Sequence, residues 1–552
     1  MWIVPHRYVS PVIVLFVAMA SATTADLFGS GAHSVRDFGA QGDGTHNDTA
    51  AVQAAIDSCA AMGGGMVRFS AGTYLCGSLH LTSRVSLFLD AGAVLKASPE
   101  QSDFGPESPE FKSDADEETS CFRYALLCGR DVEHVAVLGE GILDMNRDRQ
   151  HGPKCIALVR CRHVEIRGIT IKHATNYAIS MLGTDYVNID GVTIRENPKD
   201  GIDPDCCHHV RIANCHIETE DDAIAVKSSF SLGEKRSCEN ITVTNCFLGT
   251  ECYCFRIGSE TGGDIRNVAV SNCVMSGLDG HRPAWGGVSV VSVDGAHVQG
   301  IVASNLTMYR VRAPVYLRLG NRGRDMKERV PGSLRNISIE NIEATEASLT
   351  SSITGIPEKC VEGITLSNVC IRYAGNDTVC RADGEVPELP GDFPCSDMYG
   401  GLPAYGLYCR HVAGLVLSNV GLTFADSYWW VPPKAERRSL KLAWKEEKGL
   451  PDGAKPGIPS HAVTCEDLSG LRIDALRARP CPGRASLLQF LNVRDALIKG
   501  TQAEPGTQVF LEVRGDGSDD ISVVASDLRK AKAPVLYEGA KTRRIKIQCS
   551  TF

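Results

Sequence analysis

Three aspartates in the stretch from Asn197 to Ser228 have the type and spacing for acid–base chemistry. Asp221 and Asp222 are adjacent, and they follow Asp200 by about 21 residues. If that interval is one turn of a repeating structure, the three carboxylates lie on neighbouring strands about 4.8 Å apart. Like charges that close raise the pKa of at least one carboxyl group, as a general acid requires near neutral pH. The alternative is an acidic, solvated or calcium-binding turn region, which would also include Asp203, Asp205, Glu218 and Glu220.

Apolar residues alternate with polar ones in short runs along the chain, separated by Gly, Asn or Asp turns. The runs begin near Val85, Val135, Val164, Val187, Val210, Ile241, Val268, Ile301, Ile337, Ile364, Leu415, Leu471 and Ile521. In the best-ordered part, from Val164 to Val268, successive spacings are 23, 23, 31 and 27 residues. A repeat of roughly 20 to 50 residues indicates a solenoid.

One position of this repeat alternates between glycine and asparagine. Its members are Gly168, Gly191, Asn214, Asn245, Asn272, Asn305, Asn341, Asn368 and Asn419. Both residue types accept the left-handed αL backbone, and stacked asparagines can hydrogen-bond along an axis. Cysteines follow three of the asparagines, at Cys215, Cys246 and Cys273, and are interpreted as interior stacking residues. The pattern predicts an all-β fold, a single right-handed parallel β-helix.

A helix is predicted before the first strands. Asp48 or Thr49 can cap it, its apolar residues follow helical spacing (Val52, Ala55, Ile56, Cys59), and Gly63 to Gly65 end it. We expect it to cap the N-terminal end of a β-helix domain spanning 34–552.

Two long insertions interrupt the strand pattern, at about 372–411 and 423–464, the second containing Trp429 and Trp430. Both are too long for simple turns and are expected to line one side of a groove. A small, separately folded C-terminal unit is the alternative to a resumed helix.

Residues 1–22 have a basic start, an apolar run of about ten residues and an A-x-A-like site, which is typical of a secretory signal peptide. We therefore expect an exported chain, extracellular or periplasmic if bacterial, monomeric and without membrane attachment after signal removal. The net charge is −9 and no Lys/Arg cluster resembles a nucleic-acid footprint, so nucleic acid is excluded as a partner. No paired CxxC spacing indicates zinc, and neither a metal nor a cofactor is expected.

Four motifs in order resemble glycoside hydrolase family 28, the polygalacturonase and rhamnogalacturonase family. They are V-R-D-F-G-A-Q-G-D-G-T near the start, D-G-I-D-P-D, E-D-D-A-I-A-V-K-S and I-G-S-E-T-G-G, and they span roughly residues 34–345. The resemblance implies a right-handed parallel β-helix whose groove cleaves pectin glycosidic bonds with inversion. It also implies that Asp221 is the general acid and that Asp200 and Asp222 activate water.

The sequence departs from the family pattern at three places. Pro198-Lys199-Asp200 stands where the family usually has Asn-Thr-Asp, and Tyr253 registers with the family's histidine. Ser289 to Val291 register with the Arg-Ile-Lys triplet that holds a uronate carboxylate. The hydrolytic carboxylates are thus retained while the usual galacturonate clamp is not.

Several cations are candidates to replace that clamp. Lys227 and Arg256, together with Tyr253, are predicted to bind substrate. The structural alternatives are that Lys227 only pairs with Asp222 and that Arg256 only faces solvent. Further candidates are His281, Arg282, Arg318 and Arg322, of which the last two are expected to hold a turn.

The sequence thus predicts an exported glycosidase acting on pectic polysaccharide, with polygalacturonase as the named activity and rhamnogalacturonan hydrolase as an alternative. A pectate-lyase-like enzyme would share the fold but use calcium and an Arg or Lys base. A non-catalytic carbohydrate-binding β-helix is the remaining alternative.

Overall fold

The computed structural model describes residues 32–146, 152–374, 385–425, 461–481, 486–538 and 544–548. Four short helical elements occur in this part of the chain: the 3-10 helices Val35–Phe38 and Gln101–Asp103, and the α-helices α1 (Thr49–Ala61) and α2 (Glu117–Ser120). All other regular structure consists of strands.

The strands are given in chain order. The first thirteen are β1 (Ala32–Ser34), β2 (Asp43–Asn47), β3 (Gly65–Phe69), β4 (Gly72–Cys76), β5 (Leu79–His80), β6 (Val85–Leu89), β7 (Ala93–Ala97), β8 (Ala125–Arg130), β9 (Glu133–Gly139), β10 (Ile142–Asp144), β11 (Lys154–Val159), β12 (Arg162–Arg167) and β13 (Thr170–Lys172). The next thirteen are β14 (Ile179–Leu182), β15 (Asp185–Asp190), β16 (Thr193–Asn197), β17 (Ile202–Asp205), β18 (His208–Ala213), β19 (His216–Thr219), β20 (Ile224–Ser228), β21 (Cys238–Thr244), β22 (Phe247–Thr250), β23 (Tyr253–Thr261), β24 (Ile265–Gly277), β25 (Ala284–Ser292) and β26 (His297–Tyr309). The last thirteen are β27 (Val311–Leu319), β28 (Ser333–Ala347), β29 (Ser351–Thr354), β30 (Val361–Tyr373), β31 (Ala404–Phe424), β32 (His461–Asp474), β33 (Arg477–Ala478), β34 (Ser486–Leu491), β35 (Arg494–Lys499), β36 (Val509–Arg514), β37 (Asp519–Val524), β38 (Ala533–Glu538) and β39 (Ile545–Gln548).

Each strand pairs in parallel with its counterpart one coil earlier and one coil later, as in β12 with β9 and β15. Apolar residues of successive coils therefore stack in columns, such as Val135, Val164, Val187 and Val210. These columns fill one continuous buried core along the axis. The predicted all-β parallel β-helix is confirmed.

The glycine–asparagine ladder is confirmed in detail. Every member has a positive φ, from 50° at Asn419 to 76° at Gly168. From Asn272 onward the side chains form a continuous chain in which each amide donates to the Oδ1 of the preceding one, at 2.9–3.0 Å. Cys215, Cys246 and Cys273 follow the ladder turn and are buried in the core, as predicted.

A second column of αL residues lies at another turn and was missed by sequence reasoning. It includes His134, His163, Tyr186 and His209, whose rings stack at 4.6–4.9 Å between centroids. Each of these residues directly precedes the first apolar residue of a repeat. That constant offset is the signal that could have identified the column, although its residue types vary.

Helix α1 closes the N-terminal end of the core, as predicted. The buried face of this helix consists of Val52, Ala55, Ile56 and Cys59. The Asp48 carboxylate makes no cap hydrogen bond to the helix, because it accepts instead from the backbone N–H groups of Gln41 (2.7 Å) and Gly42 (3.0 Å).

The first insertion is shorter than predicted, because β30 continues to Tyr373 and β31 already begins at Ala404. Much of the second insertion, including Trp429 and Trp430, lies outside the described residues, as does the predicted signal peptide. Among the helices that the structure describes, no helix is long and apolar enough to cross a membrane.

Asn341 tests the ladder because it both donates to Asn305 (2.9 Å) and accepts from Asn368 (3.0 Å). We expect Asn341→Val to lower the free energy of unfolding by about 2 kcal/mol, through αL strain on a β-branched residue and the lost hydrogen bonds. Asn341→Gly is the matched control, because it loses the hydrogen bonds but tolerates φ of 56°. Urea unfolding measures both, and equal values for the two variants would contradict the role of αL strain.

Candidate active site

The three predicted carboxylates meet at one edge of a single sheet, formed by β8, β11, β14, β17, β20, β23, β25, β27, β29 and β31. We call the outward side of these strands the groove face. Asp200 lies in the turn before β17, and Asp221 and Asp222 lie in the turn before β20. These strands are neighbours, with Ile202 opposite Ile224 and the Gly201 N–H donating to the Asp222 carbonyl at 2.9 Å. The predicted placement on adjacent coils is confirmed.

Backbone N–H groups fix the carboxylates relative to one another. The Asp222 N–H donates to Asp200 Oδ1 at 3.1 Å and to Asp221 Oδ1 at 3.0 Å. The Tyr253 N–H in turn donates to Asp222 Oδ1 at 3.0 Å. Asp200 and Asp222 are buried, at 4% and 5% exposure, whereas Asp221 is only partly buried. Asp221 is therefore the member of the group that faces the opening.

Lys227 lies beneath this group and neutralises part of its charge. Its Nζ donates to Asp200 Oδ2 and Asp203 Oδ2, each at 2.8 Å, and to the Tyr177 hydroxyl at 3.2 Å. Burial disfavours the charged form of Lys227, but the charges of Asp200 and Asp203 outweigh burial and raise its pKa well above the usual value. The partners of Lys227 are thus Asp200 and Asp203, not Asp222 as the structural alternative had it.

Arg256 lies on the other side of the carboxylates. It is 3% exposed, so it does not face solvent. Its Nη1 is 3.7 Å from Asp222 Oδ2, its Nη2 donates to the Pro394 carbonyl at 2.8 Å, and its guanidinium stacks 4.4 Å above the centre of the Tyr253 ring. The carboxylates therefore lie between two buried cations.

Burial and mutual repulsion raise the pKa values of the two adjacent aspartates. The pKa of Asp221 rises to about 6, through burial and then through the charge of Asp200. The pKa of Asp222 rises to about 7, because burial together with Asp200 and Asp221 outweighs the opposing charge of Arg256. The Asp221–Asp222 pair therefore retains a proton through weakly acidic pH, and it titrates as a pair. A carboxyl group in that state can act as a general acid.

Residues 138–384 match the family model described as glycosyl hydrolases family 28. The match covers less than half of the chain, and this part of the chain is similar to that family. It is 27% identical to a probable polygalacturonase of Vitis vinifera, over 62% of this chain and 74% of that protein. It is 24% identical to an endo-polygalacturonase of Pectobacterium carotovorum, over 49% of this chain and 71% of that protein.

An exopolygalacturonase from Thermotoga maritima has a similar fold, with a TM-score of 0.57, 20% identity and coverage of 72% of this chain and 92% of that one. The right-handed parallel β-helix is thus confirmed as the fold class. The similarity to family 28 and to the polygalacturonases points to glycosidase activity.

Two of the departures from the family 28 pattern fall on residues that are fully buried. Tyr253, at the family's histidine position, is fully buried, and its hydroxyl accepts from the Ser396 N–H at 2.9 Å. Ser289, at the position of the family's arginine, is also fully buried and stands opposite Arg256 in the parallel register. Arg256 thus places a guanidinium in the same column, one coil nearer the aspartates.

The other predicted cations are all engaged by the protein itself. His281 Nδ1 and Arg282 Nε lie 2.6 Å and 2.7 Å from the Glu251 carboxylate. Arg318 donates to the carbonyls of Gly355, Glu388 and Leu389, and Arg322 pairs with Asp294 at 2.6 Å. The expectation that Arg318 and Arg322 hold chain segments in place agrees with these contacts.

Sequence reasoning missed two residues of the site. Asp203 shares Lys227 with Asp200, and burial together with the charge of Asp200 raises its pKa well above the usual value. The thiol of Cys252 lies among the carboxylates of Asp221 and Asp222, all within 4.8 Å of one another. The position of Cys252, next to the family's histidine position at Tyr253, was the available signal.

Asp221, Asp222 and Cys252 form the group with metal-ligand spacing in the described part of the chain. Calcium takes about six to eight oxygen ligands, so two carboxylates and a thiol do not suit it. Of the other acidic candidates, Asp203 and Asp205 are buried against Lys227 and Ser229, and Glu218 pairs with His216. The donor set does not fit a calcium-binding turn.

Proposed function

We propose that this protein is an exported, inverting glycosidase acting on pectic polysaccharide. The observation that carries the proposal is the convergence of Asp200, Asp221 and Asp222 on two adjacent coils, with raised pKa values of Asp221 and Asp222. The polygalacturonase names of the relatives supply the substrate class. Export rests on the signal-like residues 1–22, and the monomeric state remains a prediction.

In the proposed reaction Asp221 protonates the glycosidic oxygen, because it is the carboxyl group at the opening. Asp200 and Asp222, buried behind it, activate the water that attacks the opposite face of the sugar. Inverting glycosidases usually hold the acid and base carboxyl groups about 6.5 to 9.5 Å apart. Oxygens of Asp221 and Asp222 lie closer, within 4.8 Å of one another, so the proposal of inversion rests on the family resemblance and not on this spacing. The Lys227 ammonium lies 2.8 Å from Asp200 Oδ2, directly beside this proposed base.

A second candidate substrate, rhamnogalacturonan or another decorated pectin, is favoured by the charge of the site. Four carboxyl groups (Asp200, Asp203, Asp221, Asp222) surround two cations, Lys227 and Arg256, and both cations are already paired. A uronate carboxylate placed beside them would lack a free charge-assisted partner. A sugar that is neutral at the cleavage site would not need one.

The other two classes are less well supported. A pectate-lyase-like enzyme would need a calcium site and a free Arg or Lys base, whereas Lys227 and Arg256 are both paired with carboxylates. A non-catalytic binding protein would have no need of buried carboxylates held at raised pKa, since these destabilise the fold. An activity assay decides between hydrolysis, elimination and binding alone.

We expect Asp221→Asn to lower kcat by roughly 10²-fold or more on the best pectic substrate, because general acids usually contribute at least that much. Glu220→Gln, a change of the same kind on the neighbouring residue, is the control and should retain activity. Product release measured by mass spectrometry gives both values. Wild-type turnover by Asp221→Asn would refute the assignment.

The pH dependence should follow the Asp221–Asp222 pair. As pH rises through about 6 to 7 the pair loses its proton, so the acid form disappears and kcat/KM should fall on the alkaline side. Initial rates between pH 4 and pH 9 test this. A rate that is flat to pH 9 would mean that neither residue is the acid.

Unmodified polygalacturonan should be a poorer substrate than rhamnogalacturonan. A missing hydrogen bond to a charged group costs about 1.5 to 3 kcal/mol, or roughly 10- to 150-fold in kcat/KM. Comparing kcat/KM on the two polymers, for the wild type and for Arg256→Ala, measures the difference. Rapid cleavage of polygalacturonan that is unaffected by Arg256→Ala, and equally by Lys227→Ala, would contradict the prediction.

A further inference from the structure

The groove face is covered on the C-terminal side of the aspartates by residues 386–402, which we call the cover segment. The outward residues of β23, β25, β27, β29 and β31 beneath it are all buried: Arg256, Ser289, Val291, Tyr316, Arg318, Ser352, Thr354, Tyr408 and Arg410. Five coils at about 4.8 Å correspond to about 19 Å of axis. A polysaccharide cannot occupy this half of the face while the cover segment is there.

Contacts along its whole length hold the cover segment in place. Arg410 donates to the carbonyls of Val386 (2.6 Å) and Pro387 (2.7 Å). Further along, Arg318 donates to the Glu388 carbonyl at 2.7 Å. An apolar cluster lies between the segment and the face and consists of Val386, Leu389, Met398, Tyr399, Leu402 and Tyr408. The segment is therefore a packed part of the fold.

The cover segment contacts two residues that touch the Asp222 carboxylate, Arg256 and Tyr253. Arg256 donates to the Pro394 carbonyl at 2.8 Å and lies 3.7 Å from Asp222. The Ser396 N–H donates to the Tyr253 hydroxyl at 2.9 Å, and the Tyr253 N–H donates to Asp222. The covered region thus begins directly beside Asp222.

A second stretch, residues 113–119, crosses the groove face near the aspartates, and we call it the crossing segment. At one strand edge the Asp114 backbone N–H donates to the Asp325 carboxylate at 2.8 Å. There Arg324 also donates to the Asp116 carboxylate at 3.0 Å. At the other edge Glu118 binds Lys199 at 2.7 Å, next to Asp200. The crossing segment therefore runs over the groove face from the connection after β27 to the turn before β17, on the N-terminal side of Asp221.

Apolar packing continues the closure on the N-terminal coils. Phe122, just after the crossing segment, packs in a buried cluster with Ala157, Val159 and Leu182 of β11 and β14, together with Leu232. Its ring also lies 3.9 Å from Lys154 Nζ. Around the carboxylates, Asp221, Cys252 and Glu251 remain partly exposed. The opening at these three residues therefore has the protein's own chain on both sides of it along the axis.

We infer that the opening at Asp221 admits only the end of a polysaccharide chain, so that the enzyme releases terminal units and does not cut within the polymer. A chain cut internally must extend along the axis on both sides of Asp221, and the cover and crossing segments occupy both sides. This inference rests on the proposed glycosidase function and specifies which part of the substrate that function acts on.

The test follows product size with time, using homogalacturonan, rhamnogalacturonan and a series of defined oligosaccharides from each. We expect one small product of constant size from the first time points, with little loss of viscosity for each bond cleaved. A ladder of intermediate oligosaccharides would overturn the chain-end inference while supporting the hydrolase. Absence of cleavage across the whole panel would overturn the proposed function itself, and the inference with it.

A variant tests whether the cover segment causes the restriction. Arg318→Ala combined with Arg410→Ala removes its main backbone anchors and should shift the products from one size towards a ladder. Arg472→Ala is the control, because Arg472 pairs with Asp495 on another sheet of the helix, away from the groove face. A folded double variant that keeps the single product would contradict the role of the cover segment, and the wild-type product pattern decides the main inference even if the double variant does not fold.

Discussion

Parallel stacking at about 4.8 Å is the constraint on which the rest of this structure depends. Each strand can satisfy its backbone N–H and C=O groups only through the coils before and after it, so every residue lies close to its counterparts in the column. For apolar residues, asparagines and aromatic rings this proximity is favourable, as the chain from Asn272 to Asn419 and the stacked His134, His163 and Tyr186 show. For aspartates it is not.

The candidate site exists because the same spacing brings Asp200 against Asp222. Two like charges in a buried position cannot both remain ionised without compensation. Lys227 and Arg256 provide part of it, and burial together with the remaining repulsion raises the pKa values of Asp221 and Asp222. Removing one partner of a buried ion pair usually costs about 3 to 5 kcal/mol, so both cations stabilise the fold whatever they do for substrate.

Whether the sequence could predict an interaction depends on how far apart along the chain its partners lie. Asn305 and Asn341 were recognisable because the αL turn restricts residue type within each coil, and Asp200 and Asp222 because one repeat length separates them. The second αL column was not recognised, because His163, Tyr186 and Asn267 share a backbone conformation but no chemistry. The partner of Arg256 at Pro394 is 138 residues away within an irregular segment, and no periodicity indicates such a contact.

The two segments over the groove face explain why repeats alone do not define the activity. The coils supply a uniform surface, while the connections between them decide which part of it remains accessible. Arg318 and Arg410 illustrate the point, because they stand where a sugar-binding groove would run, yet their guanidinium groups donate to backbone carbonyls of the cover segment. A buried guanidinium needs such partners, so these arginines and the segment stabilise one another. The covered half of the groove face therefore depends on the arginines of the columns and on the insertion together.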